Sequence, residues 1–239
     1  PVVDRALRTS ATMDRVILNL GGIANLTALA AGGASVWAAD VGPANMPLDE
    51  LVRRARPRGE GFDRDGGIAA CGRPIPELVD WILDQPWVRA PLPRSYGREQ
   101  FGRGWVDALI ERSPGASLAD RLASVVEAEA RCVAWAIEHA APGWRAVPHA
   151  ALEVLLTGGG RHNRALAAAL ERALPAATLD GIEVLGQHAD AKEAIDFAWL
   201  AGACVLRRLA GAHRTTGARS DVVLGSVAWA TRSSDDPSA

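Results

Sequence analysis

Three short apolar segments separated by glycine pairs open the chain, and they restrict its architecture more than anything downstream. Arg15 to Leu20 reads as a buried strand that stops at Gly21-Gly22. Asn25 to Leu29 reads as a second strand, Ala31 to Gly33 as a hairpin-type turn, and Ser35 to Ala39 as a third strand. Connections this short do not allow a crossover, so an antiparallel meander is expected.

After Asp40 the periodicity changes. Met46 to Arg54 carries Leu48, Leu51 and Val52 on one helical face. Arg53 to Gly67 is polar and glycine-rich, a surface loop. Pro76 to Gln85 reads as a short helix with proline at its start, and Trp87 to Gly104 as a connection rich in proline and arginine. The clearest helix is Ser117 to Ala140. Ser117 with Asp120 resembles a capping box, and Leu118, Leu122, Val126, Ala130, Val133 and Ile137 recur at helical spacing. Leu152 to Thr157 is a strand, Gly158 to Gly160 a tight loop, Asn163 to Leu174 a helix, and Ala191 to Arg208 another. The expected fold class is α/β, with a mixed sheet in which the meander is followed by alternating strands and helices.

Composition narrows the function classes. The 239 residues carry a formal net charge of -2, which argues against a general nucleic-acid surface. Hydrophobic residues are 49%, yet no apolar run reaches the roughly 18 residues of a membrane span, and no secretion signal is visible. Cys71, Cys132 and Cys204 lie far apart with no C-x-x-C pair, so buried free thiols are expected rather than zinc or disulfides. The histidines, His139, His149, His162, His188 and His213, have no metal-ligand spacing, and no metal-binding residue is assigned. A first residue of Pro1 reads as a cut sequence.

Several sites could carry chemistry. In Thr157 to Asn163 (TGGGRHN) a triple glycine joins strand to helix, which lets backbone approach a ligand; a plain tight turn explains it equally. Neither a Walker-type nor a G-x-G-x-x-G pattern is present. Gly21 and Gly22 sit at a strand end, suited to phosphate or simply to a turn. Asp40, before Gly42-Pro43, could take a proton, hold magnesium through water, or cap the next helix. Asp63 and Asp65 flank Arg64 in a loop where neither can be singled out. Arg94 and Arg98 suit an anion or a charged surface.

Read in order, these segments resemble one family. Asn19 to Thr27 (NLGGIANLT) is similar to the N-I-G-G-I-A/S-N-V/L-T of anhydro-N-acetylmuramic acid kinases. Asp40 to Asp49 (DVGPANMPLD) resembles D-T/C-G-P-G-N-x-L-L/M-D. Phe62 to Gly66 with Ala69 to Gly72, Pro93 to Phe101 (PRSYGREQF), Thr157 to Asn163, Ala191 to Ala194 with Phe197-Ala198, and Thr216 to Ala218 resemble the later motifs. The resemblance covers nearly the whole chain. It implies an actin-like (ribonuclease H-like) ATPase domain spanning residues 1–239, with a helical and loop insertion at about 50–115. It also implies a cytoplasmic enzyme that uses ATP and Mg2+ to open the 1,6-anhydro ring of a small amino sugar with water and phosphorylate O6, in peptidoglycan recycling. A homodimer is possible for such a family.

Carried over position by position, the resemblance makes Asp40 the general base. Gly21 and Gly22 become a phosphate-contacting turn. Gly158, Gly159, Gly160 and Asn163 become the adenosine loop, and Asn45, Arg94 and Arg98 substrate contacts. Three departures stand out. Ala44 replaces a glycine, Arg94-Ser95-Tyr96 replaces K-S-T, and the family's G-x-M-S-G-T-S-x-D-G phosphate loop does not occur in these residues. The chain is therefore expected to be a C-terminal portion, without the family's N-terminal domain and inactive alone. The alternative is a degenerate, non-catalytic domain of the same fold that binds a sugar or a partner.

Overall fold

Strand β1 (Asp14–Leu20) pairs antiparallel with β2 (Ile23–Leu29) across the Gly21-Gly22 turn, and β2 pairs antiparallel with β3 (Val36–Pro43). The computed structural model describes residues 1–139, 144–145, 151–211, 213 and 218–228. The expected meander is present, and β4 (Leu152–Thr157) then lies parallel to β1, with β5 (Ala177–Gly181) parallel to β4. The sheet order is β3-β2-β1-β4-β5, a mixed α/β sheet.

Alternation along the strands divides the sheet into two unlike faces. Val16, Leu18, Leu20, Ala24, Leu26, Ala28, Trp37, Ala39, Val41, Val154 and Leu156 share the large core cluster. Against that face pack α2 (Asn45–Ala55), α5 (Leu118–Glu138) and α6 (Arg164–Ala173). Helices α3 (Pro76–Leu83) and α4 (Arg103–Glu111) extend the same layer outward. The opposite face carries only a small apolar cluster of Ile17, Leu29 and Leu155. Near it lie α1 (Val2–Arg8) and α7 (Lys192–Val205), which contact each other. Polar side chains buried on that side are paired: Arg15 with Glu153, the Thr27 hydroxyl with Asp4, and Arg8 with Asp4 and Asp196.

Helix α5 shows why the expected helix forms. The Ser117 hydroxyl accepts the Asp120 N–H at 3.1 Å and donates to the Asp120 carboxylate at 2.7 Å, a closed capping arrangement. The expected stripe is buried at Leu122, Val126, Ala130, Val133 and Ile137. Val125, Ala128, Glu129, Cys132 and Ala136 are buried as well, because α5 lies between the sheet and α3.

Four expectations need correction. Strand β3 runs on to Pro43, so Asp40 lies inside it rather than after it. Helix α4 follows the connection at Gly102, and β5 adds a fifth strand; both are short and were not read from the sequence. Helix α7 ends at Val205, three residues before Arg208. The cysteines are free, yet only Cys132 is buried, since Cys71 sits in an exposed turn and Cys204 is half-buried. Thr216, Gly217 and His149 lie outside the described residues. Among the described residues no helix is long and apolar enough to cross a membrane.

Candidate active site

Asp40 stands at a β-bulge. Asn25 pairs with Asp40 and its neighbour Ala24 pairs with Gly42, which leaves Val41 as the extra residue. A bulge bends the strand and re-aims the side chain beside it. It also leaves ladder carbonyls unpaired. Here Arg94 fills both: its Nε donates to the Asp40 carbonyl at 3.1 Å and an Nη to the Val41 carbonyl at 3.2 Å. The other Nη donates to the carbonyls of Val88 and Ala90 at 2.9 and 2.8 Å.

The return contacts are equally specific. The Asp40 N–H donates to the Arg94 carbonyl at 2.9 Å, and the Tyr96 N–H donates to Asp40 Oδ2 at 2.7 Å. Tyr96 is fixed in turn, its hydroxyl donating to the Trp87 carbonyl at 2.6 Å while its ring meets Phe101 edge-on at 5.5 Å. Burial pushes the Tyr96 phenol up to about 12, so it stays a donor across the working pH range. Asp40 Oδ1 has no hydrogen bond among the described residues and faces a cavity of 1030 Å³.

Arg94 therefore aims the carboxylate instead of offering its fork to a ligand. Arg98 is exposed in a short turn and does not line the Asp40 cavity. The resemblance made both substrate contacts; the structure shows Arg94 bonded to main-chain carbonyls at the cavity wall and Arg98 exposed away from it.

The glycine loops meet each other. Gly158 has φ +77, and a Cβ there would stand 2.6 Å from Asn19 Oδ1 and 2.7 Å from the Leu20 carbonyl oxygen. A Cβ on Gly160 would fall 2.7 Å from Leu20 Cβ, whereas one on Gly159 would meet nothing closer than 3.8 Å. The triple-glycine loop is thus pressed against the end of β1. Asn45 joins the contact, its Nδ2 donating to the Leu20 carbonyl at 3.0 Å. Asn163 caps α6, its side chain accepting the Leu166 N–H at 3.0 Å.

The Gly21 and Gly22 carbonyls accept the N–H groups of Ala44, Asn45 and Met46 at the start of α2. Their own N–H groups find no acceptor among the described residues and remain available to an anion. Ala44 has φ -137, outside the left-handed region, so its Cβ in place of the family's glycine brings no strain of that kind.

A second cavity of 500 Å³ opens beside Gly159 and Asn163, walled by Asp49, Phe62, Asp63 and Asp65. Its size is that of a ligand pocket. Asp63 holds its own loop by accepting the Ile68 and Ala69 N–H groups at 2.7 and 2.9 Å. Burial pushes the Asp49 carboxyl up, opposed by Arg53. Among the described residues no three His, Cys, Asp or Glu side chains cluster as a metal cage.

Two cationic side chains line the Asp40 cavity, and both are engaged. Lys192 Nζ lies 3.2 Å from Asp4 and 2.6 Å from Asp196, and Arg94 is bound as above. Arg8, fully buried behind them, bridges Asp4 at 2.8 Å and Asp196 at 2.7 Å. These carboxylates and cations tie α1 to α7 under the cavity.

The family profile described as anhydro-N-acetylmuramic acid kinase matches residues 1–230. A protein of that name from Xylella fastidiosa is 38% identical over 227 residues, covering 95% of this chain and 57% of its own length. One from Bordetella petrii is 39% identical over 221 residues, covering 91% and 56%. The chain thus spans little more than half of these curated relatives. Among solved structures, component A of (R)-2-hydroxyglutaryl-CoA dehydratase from Acidaminococcus fermentans is similar at 14% identity with a TM-score of 0.45, over 82% of this chain and 62% of that one.

Proposed function

The chain belongs to the anhydro-N-acetylmuramic acid kinase family, and from that premise we propose that it carries the general base and the nucleotide-facing loops of an ATP-dependent kinase acting on anhydro-N-acetylmuramic acid. The observation that supports this most is Asp40. One carboxylate oxygen is anchored by the Tyr96 N–H, and the other is open to a cavity large enough for a sugar.

In this reading water is held against Asp40 Oδ1 and attacks the anomeric carbon. As the new C–O bond forms, the 1,6-anhydro C–O bond breaks and its electron pair stays on the freed O6. That oxygen bonds to the γ-phosphorus, the bond to the β-phosphate oxygen breaks, and ADP leaves with the pair. Asp40 receives the water's proton. The product is N-acetylmuramic acid 6-phosphate, a step of peptidoglycan recycling that we place in the cytoplasm.

The nucleotide fits what the chain offers. The unpaired Gly21 and Gly22 N–H groups suit phosphate oxygens, and the pocket beside Gly159 and Asn163 suits the adenosine end. Asn45 ties the two loops into one wall. Magnesium, bound with ATP, would supply positive charge to the phosphates, and no residue of this chain is assigned to hold it. A homodimer remains part of the proposal.

One observation favours the second reading, a domain that binds without catalysing: no uncommitted cationic side chain lines the Asp40 cavity among the described residues. Replacing Asp40 in the complete protein separates the two. Asp40→Asn keeps the size and the Tyr96 bond but removes the base, and it should lower kcat by about 10²–10⁴-fold with ATP and anhydrosugar. Undiminished turnover would remove Asp40 from the mechanism.

A further inference from the structure

The register places four polar residues in one line across four strands. Thr157 on β4 pairs with Asn19 on β1, Asn19 with Asn25 on β2, and Asn25 with Asp40 on β3. Paired residues point to the same face, and this is the one nearest α1 and α7. Asn19, Asn25 and Asp40 all line the large cavity. At the β4 end the line is closed on itself, since the Thr157 hydroxyl lies 3.3 Å from Asn19 Oδ1. At the β3 end it is open. The Asn25 amide has no hydrogen-bond partner among the described residues, and neither has Asp40 Oδ1. Directly paired residues bring their Cβ atoms to about 4.5–5.5 Å, so these two open groups are within reach of one shared water.

We infer that Asn25 is the second anchor of the attacking water. A water that aims a lone pair at carbon must direct both its protons elsewhere. Asp40 Oδ1 takes one, and the Asn25 carbonyl oxygen accepts the other as a hydrogen bond. The proton held by Asn25 is never transferred; Asp40 alone receives one as the C–O bond forms. The β-bulge is what makes the pair usable. It shifts the register next to Asn25 and Asp40, so that this pair stands at the break in the ladder, with Arg94 closing the carbonyls of Asp40 and Val41. An asparagine suits the role because its oxygen accepts without adding a second negative charge beside the base.

The inference rests on Asp40 being the base, and its test separates the two claims. In the complete protein, Asn25→Leu keeps the side-chain size and removes both polar atoms. It should lower kcat 10- to 100-fold while KM for the anhydrosugar changes less than about threefold. Asn25→Asp keeps an acceptor but sets like charges side by side, which favours a shared proton. The acidic limb of its kcat–pH profile should therefore move up by about one unit, which checks that residue 25 stands beside the base, while the loss of kcat at nearly constant KM in Asn25→Leu reports its hold on the water. With Asp40→Asn inactive, normal kcat in Asn25→Leu, or an unmoved limb in Asn25→Asp, overturns the role of Asn25 and leaves the base intact. An active Asp40→Asn overturns both.

Discussion

Glu129 is the residue whose chemistry is least at home where it lies. It is 1% exposed in the middle of α5, and neither carboxylate oxygen has a hydrogen-bond partner. Burial holds its pKa well above the ordinary carboxylate value of 4.5 and, with Glu129, pushes the neighbouring Cys132 thiol up to about 12. The folded state thus keeps a proton that the unfolded state releases above that value. Stability is then fully present below it and falls as pH rises toward the folded pKa, by at most on the order of 1 kcal/mol per pH unit. Glu129→Gln should abolish that slope. Urea denaturation at pH 6 and pH 8 should show the variant gaining on the parent chain as pH rises, and equal slopes would contradict a neutral Glu129. At this scale the candidate site was only partly legible. Asp40 could be singled out only through the family resemblance, since the pattern before Gly-Pro alone left a capping role open. Asn25 could not, because its partner lies fifteen residues away and only the bulged register brings them together. The main-chain contacts of Arg94 were not legible for a related reason: a guanidinium suits a main-chain carbonyl as well as a phosphate.

The β4–α6 loop is the element where packing and ligand geometry are most tightly joined. Gly158→Ala puts a Cβ at φ +77 and into Asn19 and the Leu20 carbonyl, whereas Gly159→Ala meets open space. The first should destabilise the chain by roughly 1–3 kcal/mol and weaken nucleotide binding. The second should leave the melting temperature nearly unchanged, so denaturation of the two variants side by side checks the loop directly. Strands β1, β2 and β4 and helices α5 and α6 were readable because each couples a period to a terminator: glycine pairs, the Ser117 cap, the Asn163 cap. Helix α4 and strand β5 were not. Each is short, and β5 alternates only between half-buried and exposed positions over five residues. The end of β3 was hidden for a different reason, since Gly42-Pro43 reads as a turn while Arg94 and the segment around it hold it as strand.

At the scale of the whole molecule the proposed reaction needs something that the described residues do not present. Phosphoryl transfer requires positive charge near the γ-phosphate. Lys192 is held by Asp4 and Asp196, and Arg94 by four carbonyls. The 239 residues assayed with ATP and the anhydrosugar should therefore give turnover indistinguishable from background, and robust phosphorylation would refute the need for further positive charge. The position of β3 in the sheet carries one more consequence. It is one of the two edge strands of the described sheet, and an edge strand invites pairing with other molecules. The Arg94–Tyr96 segment lies along that margin and bonds to Asp40 through main chain and side chain together. The contacts that aim the carboxylate are therefore also the ones that keep the sheet from recruiting neighbours. A substitution that loosened Arg94 should therefore release the carboxylate and bare the margin of the sheet together.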